Sequence, residues 1–281
     1  MTDRGVNQVR EFYEKTAEDY DKEYAAPRWK LYHEITWENI KRFLPKRRNG
    51  LILDAGGGTG YWAIKLAKQG YRIVLTDISE SMLKVAKRKI KKEKLQNKIV
   101  TRVADIRDMS CFTSNQFDLV LAEGDPVSYC LNPERAVREL ARVVKPNAHV
   151  IISVDSKYPI VSRLIAEKSY DLLSKFSRTG ILKSREGEFE FQAFTPEELE
   201  VLFKRCGLRL VRIIGKPILT QLLPKEERDG IIKEDYRRIL NLELRFCDIP
   251  SLVGVGGHLE AVGLKTKTGS SLKHSLPNSF V

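Results

Sequence analysis

The segment Leu51-Ile-Leu-Asp-Ala-Gly-Gly-Gly-Thr-Gly60 runs from an apolar stretch through Asp54 into three alternate glycines, Gly56, Gly58 and Gly60. Glycine permits backbone angles closed to other residues, and it lets a ligand lie against bare main chain at the start of a helix. Asp77 stands 21 residues beyond Gly56, at the end of the apolar run RIVLTD. A carboxylate there can accept hydrogen bonds from both hydroxyls of a ribose. Asp105 closes a further run in Val-Ala-Asp-Ile-Arg, where an acceptor beside an apolar residue suits the amino edge of an adenine. Glycine turns also occur without ligands, and a single acid often only caps an element. The ordered set of glycine loop, first acid and second acid is what points to a nucleoside.

Rigid elements must hold these groups. Short apolar runs alternate with helical patterns: LILDA (51–55), a helix over 61–69, RIVLTD (72–77), a helix over 80–94, IVTRVAD (99–105), FDLVLAE (117–123), a helix over 133–144 and HVIISVD (149–155). Such alternation predicts βαβ units and a parallel sheet, an α/β fold. The first three strands then each deliver a polar group to the carboxyl end, where open α/β sheets bind ligands. Residues 1–48 read as a helical cap that ends at Pro45. The main domain follows over 49–265, with inserts at about 157–194 and 217–252 that read as mostly helical. Between them, TPEELEVLFKRCG (195–207) carries Thr195 as N-cap, Pro196, Glu198 and a Gly207 stop. The strands LRLVRII and HLEAVGLK (258–265) complete the domain, and the polar, Ser-rich residues 266–281 read as a mobile tail.

Composition narrows the class. The chain has 281 residues, 42% hydrophobic and 31% charged, which suits a globular enzyme-sized core and excludes a disordered or collagen-like chain. No apolar run approaches the ~18 residues of a membrane span, and the charged start MTDRGVNQVREFYEK lacks a signal-peptide core, so a cytoplasmic address is expected. Cys111, Cys130, Cys206 and Cys247 are scattered, as are His33, His149, His258 and His274, so the spacing predicts no metal site. The net charge is +12, and residues 84–98 hold eight bases and one acid around the apolar stripe Leu83, Ala86 and Ile90. That is a helix with a buried seam and a basic outer face. It reads as a solvated surface or as a footprint for nucleic acid, and no aromatic residue interleaves with the bases to stack on nucleotides.

Gly58-x-Gly60-x-x-Ala63 also fits the dinucleotide fingerprint, so a nicotinamide dehydrogenase stands as an alternative. Against it, Asp54-x-Gly56 is superfluous for a pyrophosphate. The single Tyr-x-x-x-Lys couple, Tyr61 to Lys65, falls in the glycine-loop helix. The chain also closes with helix, strand, insert and strand instead of a sixth parallel unit.

On these residues the chain resembles the class I S-adenosylmethionine-dependent methyltransferases, in the group that includes the ubiquinone/menaquinone C-methyltransferases. The likeness runs from Glu11 to about Val154: the glycine motif, Asp77-Ile78, Asp105-Ile106, FDLVLAEGDPV and LARVVKPNAHVIISV, preceded by Phe12-Tyr-x-x-x-Ala17-x-x-Tyr20-Asp21. It implies a Rossmann-like, seven-stranded, mostly parallel sheet with helices on both faces, in the order 3-2-1-4-5-7-6. It also implies S-adenosylmethionine as cofactor. Gly56 and Gly58 would face its methionine part, Asp77 the ribose, Ile78 one adenine face, Asp105 and Ile106 the adenine edge. Glu123 would sit by the methionine amino group or the methyl, and Tyr20 would close the pocket from above.

Methyl transfer from a sulfonium needs in-line positioning above all, and a base only for a protonated nucleophile. Glu123, Asp125, Tyr129 and His33 are the candidates near the pocket, and none is singled out as a catalytic base. Val127 stands where nucleic-acid amino-methylating enzymes have the second proline of their Asp-Pro-Pro-aromatic signature. The expected acceptor is a small molecule beneath a lid of the cap and inserts. The alternatives are an RNA held by the 84–98 face, and a non-catalytic nucleotide-binding protein.

Overall fold

The computed structural model describes residues 3–184 and 187–266; the expected tail, beyond Thr266, lies outside them. Among the described residues nine strands occur with helices between most of them: β1 (Leu51–Ala55), β2 (Arg72–Asp77), β3 (Ile99–Val103), β4 (Phe117–Ala122), β5 (Val144–Asp155), β6 (Ile181–Lys183), β7 (Glu190–Gln192), β8 (Leu208–Lys216) and β9 (His258–Lys265). Seven of them make one sheet in the order β3-β2-β1-β4-β5-β9-β8. β1 to β5 are parallel, and β9 runs antiparallel to both β5 and β8. This is the expected order, because β8 and β9 are the sixth and seventh strands of the main sheet.

Side-chain alternation splits the core in two. Ile52 of β1 packs on one face with Leu119 and Leu121 of β4, Leu66 of the helix Tyr61–Lys68 and Leu83 and Ile90 of the helix Glu80–Lys92. Leu53, Val120 and Ile152 pack on the other face with Val137 and Leu140 of Pro133–Val143 and Phe203 of Pro196–Arg205. Successive strand residues point to opposite faces, and both faces are covered, which explains the continuous apolar runs. The order reverses between β1 and β4, and the crevice at such a switch point is where doubly wound sheets take ligands.

Several boundaries differ from expectation. β3 stops at Val103, because Ala104 donates its N–H to the Asp77 carbonyl and Asp105 turns out of the sheet to bridge Asp108. The first insert is helical over Lys157–Ala166 and Tyr170–Thr179 but also carries the hairpin β6–β7. Three-residue strands are too short to show a period. The capping box at Thr195 is formed as read: Glu198 N–H donates to Thr195 Oγ1 at 3.3 Å, and Thr195 N–H donates to Glu198 Oε2 at 2.9 Å.

The leading segment forms the helices Asp3–Thr16, Tyr20–Glu23 and Pro27–Ile40. Leu31 and Ile35 share a small core with Ile214 of β8 and with Ile232 and Cys247 of the second insert. Among the described residues no helix is long and apolar enough to cross a membrane.

Candidate functional site

A cavity opens at the carboxyl ends of β1, β2 and β4, with about 620 Å³ of space that is partly open to solvent. Gly56, Gly58, Asp77, Ile78, Asp105, Ile106 and Tyr20 line it. Seven of the eight residues singled out from sequence thus share one cavity. Val6, Val9, Tyr13, Met82, Ala104, Gly124, Pro126, Tyr129 and Cys130 complete the wall.

The glycine loop has the backbone its sequence suggests: φ is +70° at Gly56, +53° at Gly58 and +82° at Gly60. A Cβ on Gly56 would fall 2.6 Å from Pro126 Cβ, whereas one on Gly58 would meet nothing nearer than Tyr20 Cε1 at 3.9 Å. Gly56 is therefore needed for a close approach of loop to loop, and Gly58 leaves bare main chain toward the cavity. Asp54 is fully buried, and its Oδ2 accepts the Ala63 N–H at 3.0 Å, tying β1 to the following helix. Burial, set against that hydrogen bond, pushes its carboxyl up to about 7.

Asp77 both shapes the loop and faces the cavity. Its Oδ2 accepts the Gly58 N–H at 2.9 Å and its Oδ1 the Ser79 N–H at 2.8 Å. A carboxylate has about four acceptor sites, so lone pairs remain for two hydroxyls. Burial raises this carboxyl to about 6 despite the N–H donors. Asp105 also lines the cavity, but not as the free acceptor expected: Arg107 Nη2 donates to its Oδ2 at 2.6 Å, and Arg107 Nε lies 3.1 and 3.0 Å from its two oxygens.

Tyr20 is placed by its neighbour. Thr59, in the glycine loop, donates its hydroxyl to Asp21 Oδ1 at 2.6 Å, and Lys89 donates to Asp21 Oδ2 at 2.7 Å. The short helix Tyr20–Glu23 is thereby clamped beside the loop, with the Tyr20 and Tyr24 hydroxyls 2.7 Å apart. Glu14 accepts N–H donors from Glu80 and Ser81 at the start of Glu80–Lys92, which fixes the first helix across the cavity and holds the Glu14 carboxyl low against its burial. Val6, Val9 and Tyr13 then form the roof.

Glu123 is the correction. Its side chain is wholly buried away from this cavity, 2.7 Å from Lys216 Nζ, and that ammonium also binds Glu260 and donates to Thr36 Oγ1 at 2.8 Å. One lysine faces two buried carboxylates here, and burial together with Glu260 pushes Glu123 upward, to about 8. β8 and β9 supply its partners, 93 and 137 positions away in the chain, so no local pattern could have shown them. His33 is likewise outside the cavity, stacked on Tyr61 with ring centroids 4.2 Å apart and lowered to about 4 by burial, which keeps it neutral. Tyr129 does line the cavity, its phenol held well above the ordinary value by burial. Asp125 sits between two lining residues and pairs with His258.

Of the residues sequence reasoning missed, Tyr13 stood in the Phe-Tyr-x-x-x-Ala motif and was visible there. Val6, Val9, Met82, Ala104 and Cys130 are ordinary apolar positions with no local signal.

The lining bears on the cofactor. It holds two carboxylates and no lysine or arginine. Asp105 is already paired with Arg107, and the Asp77 carboxylate on the same wall would attract a cationic adenosyl compound. The residues present fit S-adenosylmethionine.

Fold and site together give an α/β protein whose switch-point cavity suits a positively charged nucleoside. Residues 52–147 match the family described as methyltransferase domain. The tRNA 5-carboxymethoxyuridine methyltransferase of Escherichia coli is 19% identical over 271 residues, 95% of this chain and 98% of that protein. The ubiquinone/menaquinone biosynthesis C-methyltransferase of Hydrogenovibrio crunogenus is 25% identical over 67% of this chain and 74% of its own length. A crystal structure of a methyltransferase from Methanosarcina mazei superposes with a TM-score of 0.57, at 18% identity, over 81% of this chain and 96% of that one, and shows the shared fold. These likenesses support an S-adenosylmethionine-dependent methyltransferase, with S-adenosylmethionine as its cofactor.

Proposed function

We propose that the protein transfers the methyl group to a small-molecule acceptor, and that Tyr20, Gly56, Gly58, Asp77, Ile78, Asp105 and Ile106 hold the cofactor. When bound, S-adenosylmethionine supplies a methyl carbon on positive sulfur, already activated for displacement. The chain's part is to exclude water and align the acceptor, and positioning of this kind is worth ~7–11 kcal/mol of a barrier.

The observation that carries the small-molecule reading is the roof. The helix Asp3–Thr16 lays Val6, Val9 and Tyr13 over the cavity, and Phe189, just before β7, packs on Tyr13 and Tyr129 with centroids 6.2 and 5.5 Å away. A roofed cavity with aromatic walls suits a compact acceptor better than a continuous polymer. Calorimetry with S-adenosylhomocysteine tests the site, with micromolar binding expected and no binding at millimolar ligand counting against it. Methyl-tritiated cofactor incubated with a protein-free metabolite extract tests the acceptor: labelled small molecules support the reading, and label appearing in added tRNA alone overturns it.

One observation favours a second reading, in which RNA is the acceptor. Lys84, Lys87, Lys91 and Lys94 are exposed and make no ion pair among the described residues. The similarity to a tRNA methyltransferase supports the same reading. It predicts RNA affinity that falls steeply with salt, and a salt-independent result removes it.

A further inference from the structure

At the carboxyl rim of the sheet, beside the cavity, three side chains distant in sequence meet. Asp125 follows β4, Asp155 ends β5 and His258 begins β9; because β9 is antiparallel, its first residue pairs directly with Asp155. One ligand-type atom from each of the three lies within 4.8 Å of the other two.

Their polar atoms are under-satisfied. Asp125 Oδ1 and Asp155 Oδ2 are both shielded from solvent and lack a hydrogen-bond partner. His258 Nδ1 stands 2.8 Å from Asp125 Oδ2, an ion-pair distance. Asp125 is 4% exposed. Buried polar groups are nearly always paired, and an exception calls for an explanation such as an ion. Two unpartnered carboxylate oxygens and an imidazole whose close polar contact is Asp125 Oδ2 meet at these strand ends.

The cluster is also built, and is not a chance meeting of acids. Asp125 has a left-handed backbone, φ +66°, held by Ser153 Oγ, which accepts the Gly124 and Asp125 N–H groups at 2.9 and 3.1 Å. Asp155 is anchored by its own N–H on Ser128 Oγ at 2.9 Å. The rings of Tyr32 and Trp29 flank His258, with centroids 5.1 and 6.0 Å away. Gly124 and Pro126, on either side of Asp125, both line the cavity.

We propose that Asp125, Asp155 and His258 form a binding site for a divalent transition-metal ion next to the methyl-transfer cavity. An imidazole with two carboxylates is a donor set suited to ions such as Mn²⁺, Fe²⁺ or Zn²⁺. Two negative charges would balance the ion, and three protein donors leave coordination positions open to water or to an oxygen of the acceptor. The ligand spacing, 30 and 103 residues, is why the sequence predicted no metal.

The test uses the full chain, stripped with chelator and titrated with MnCl₂. Expected are one bound equivalent by calorimetry, loss of the free-ion electron paramagnetic resonance lines, and ¹⁴N modulation from an imidazole in the pulsed spectrum of the bound ion. Asp155→Asn and His258→Gln should each weaken Mn²⁺ binding at least tenfold, and His258→Gln should remove the ¹⁴N modulation. Weak or absent Mn²⁺ binding, a bound ion without ¹⁴N modulation, or unchanged affinity in both variants would each overturn the proposal. The pulsed spectrum reads the unsubstituted protein, so the test survives a variant that fails to fold. S-adenosylhomocysteine binding, measured alongside without metal, separates failure of this site from failure of the cofactor reading.

Discussion

Asp77 Oδ2 accepts the Gly58 N–H at 2.9 Å, so the acid at the end of β2 holds the loop at the end of β1 in place before any ligand arrives. Loop shape and, in the proposed site, ribose recognition thus rest on one carboxylate. Asp77→Asn keeps the volume but turns one acceptor oxygen into a donor facing an N–H. Hydrogen bonds to charged groups are worth ~1.5–3 kcal/mol, so S-adenosylhomocysteine binding should weaken by about 10- to 100-fold by calorimetry.

The same carboxylate predicts a pH limit. With its carboxyl at about 6, Asp77 must lose a proton to offer all its acceptor sites. Affinity for S-adenosylhomocysteine should hold from pH 8 to 7 and fall as the pH drops below about 6. Calorimetry across that range checks it, and a flat profile in the unsubstituted protein would contradict the role.

Gly56 and Gly58 should respond differently to alanine. At Gly56 both the positive φ and the 2.6 Å approach of Pro126 Cβ oppose a methyl group, and Pro126 is a rigid neighbour. At Gly58 only the positive φ does, which costs roughly 1–2 kcal/mol. Gly56→Ala should therefore lower the urea midpoint clearly more than Gly58→Ala. Gly58→Ala should act chiefly on ligand affinity, because its Cβ enters the cavity side.

Lys216 binds both Glu123 and Glu260 in a wholly buried cluster, where its single charge balances one carboxylate. Removing one partner of a buried ion pair costs ~3–5 kcal/mol, because a charge is left uncompensated. Lys216→Met should lower stability by about that much in chemical denaturation. Adding Glu123→Gln and Glu260→Gln to the same chain should restore much of it.

Asp54 supplies a stability slope. Its carboxyl rises from an ordinary 3.8 unfolded to about 7 folded, so between those values the folded chain binds the extra proton and stability falls as pH rises. Asp54→Asn cannot ionise, yet its amide oxygen can still accept the Ala63 N–H. Relative to the unsubstituted protein, the variant should gain stability between pH 4 and 7, on the order of a few kcal/mol. Parallel melts at several pH values check this, and a constant difference would contradict it.

Recognition of the cavity from sequence succeeded where strand-end residues carry their own chemistry. Gly56, Gly58, Asp77 and Asp105 are tied to the ends of β1, β2 and β3 by short covalent distances, so their order along the chain maps onto their order across the sheet. Glu123 obeyed the same rule up to the end of β4 and then failed it. The side chain of a strand-end residue turns toward whatever partner the neighbouring strands bring, and here β8 brought a lysine. The hairpin β6–β7 escaped because three residues cannot display a period of two.

From the order of its residues alone the chain determines a doubly wound sheet, a glycine loop and two acids at neighbouring strand ends, because these depend on local backbone preference and on apolar periodicity. Tertiary structure alone decided that Glu123 is sealed beneath Lys216, that Tyr13 and Val9 roof the cavity, and that Asp125, Asp155 and His258 meet. Those outcomes depend on contacts between segments far apart in the chain, and on desolvation, which exists only once the core has closed around each group.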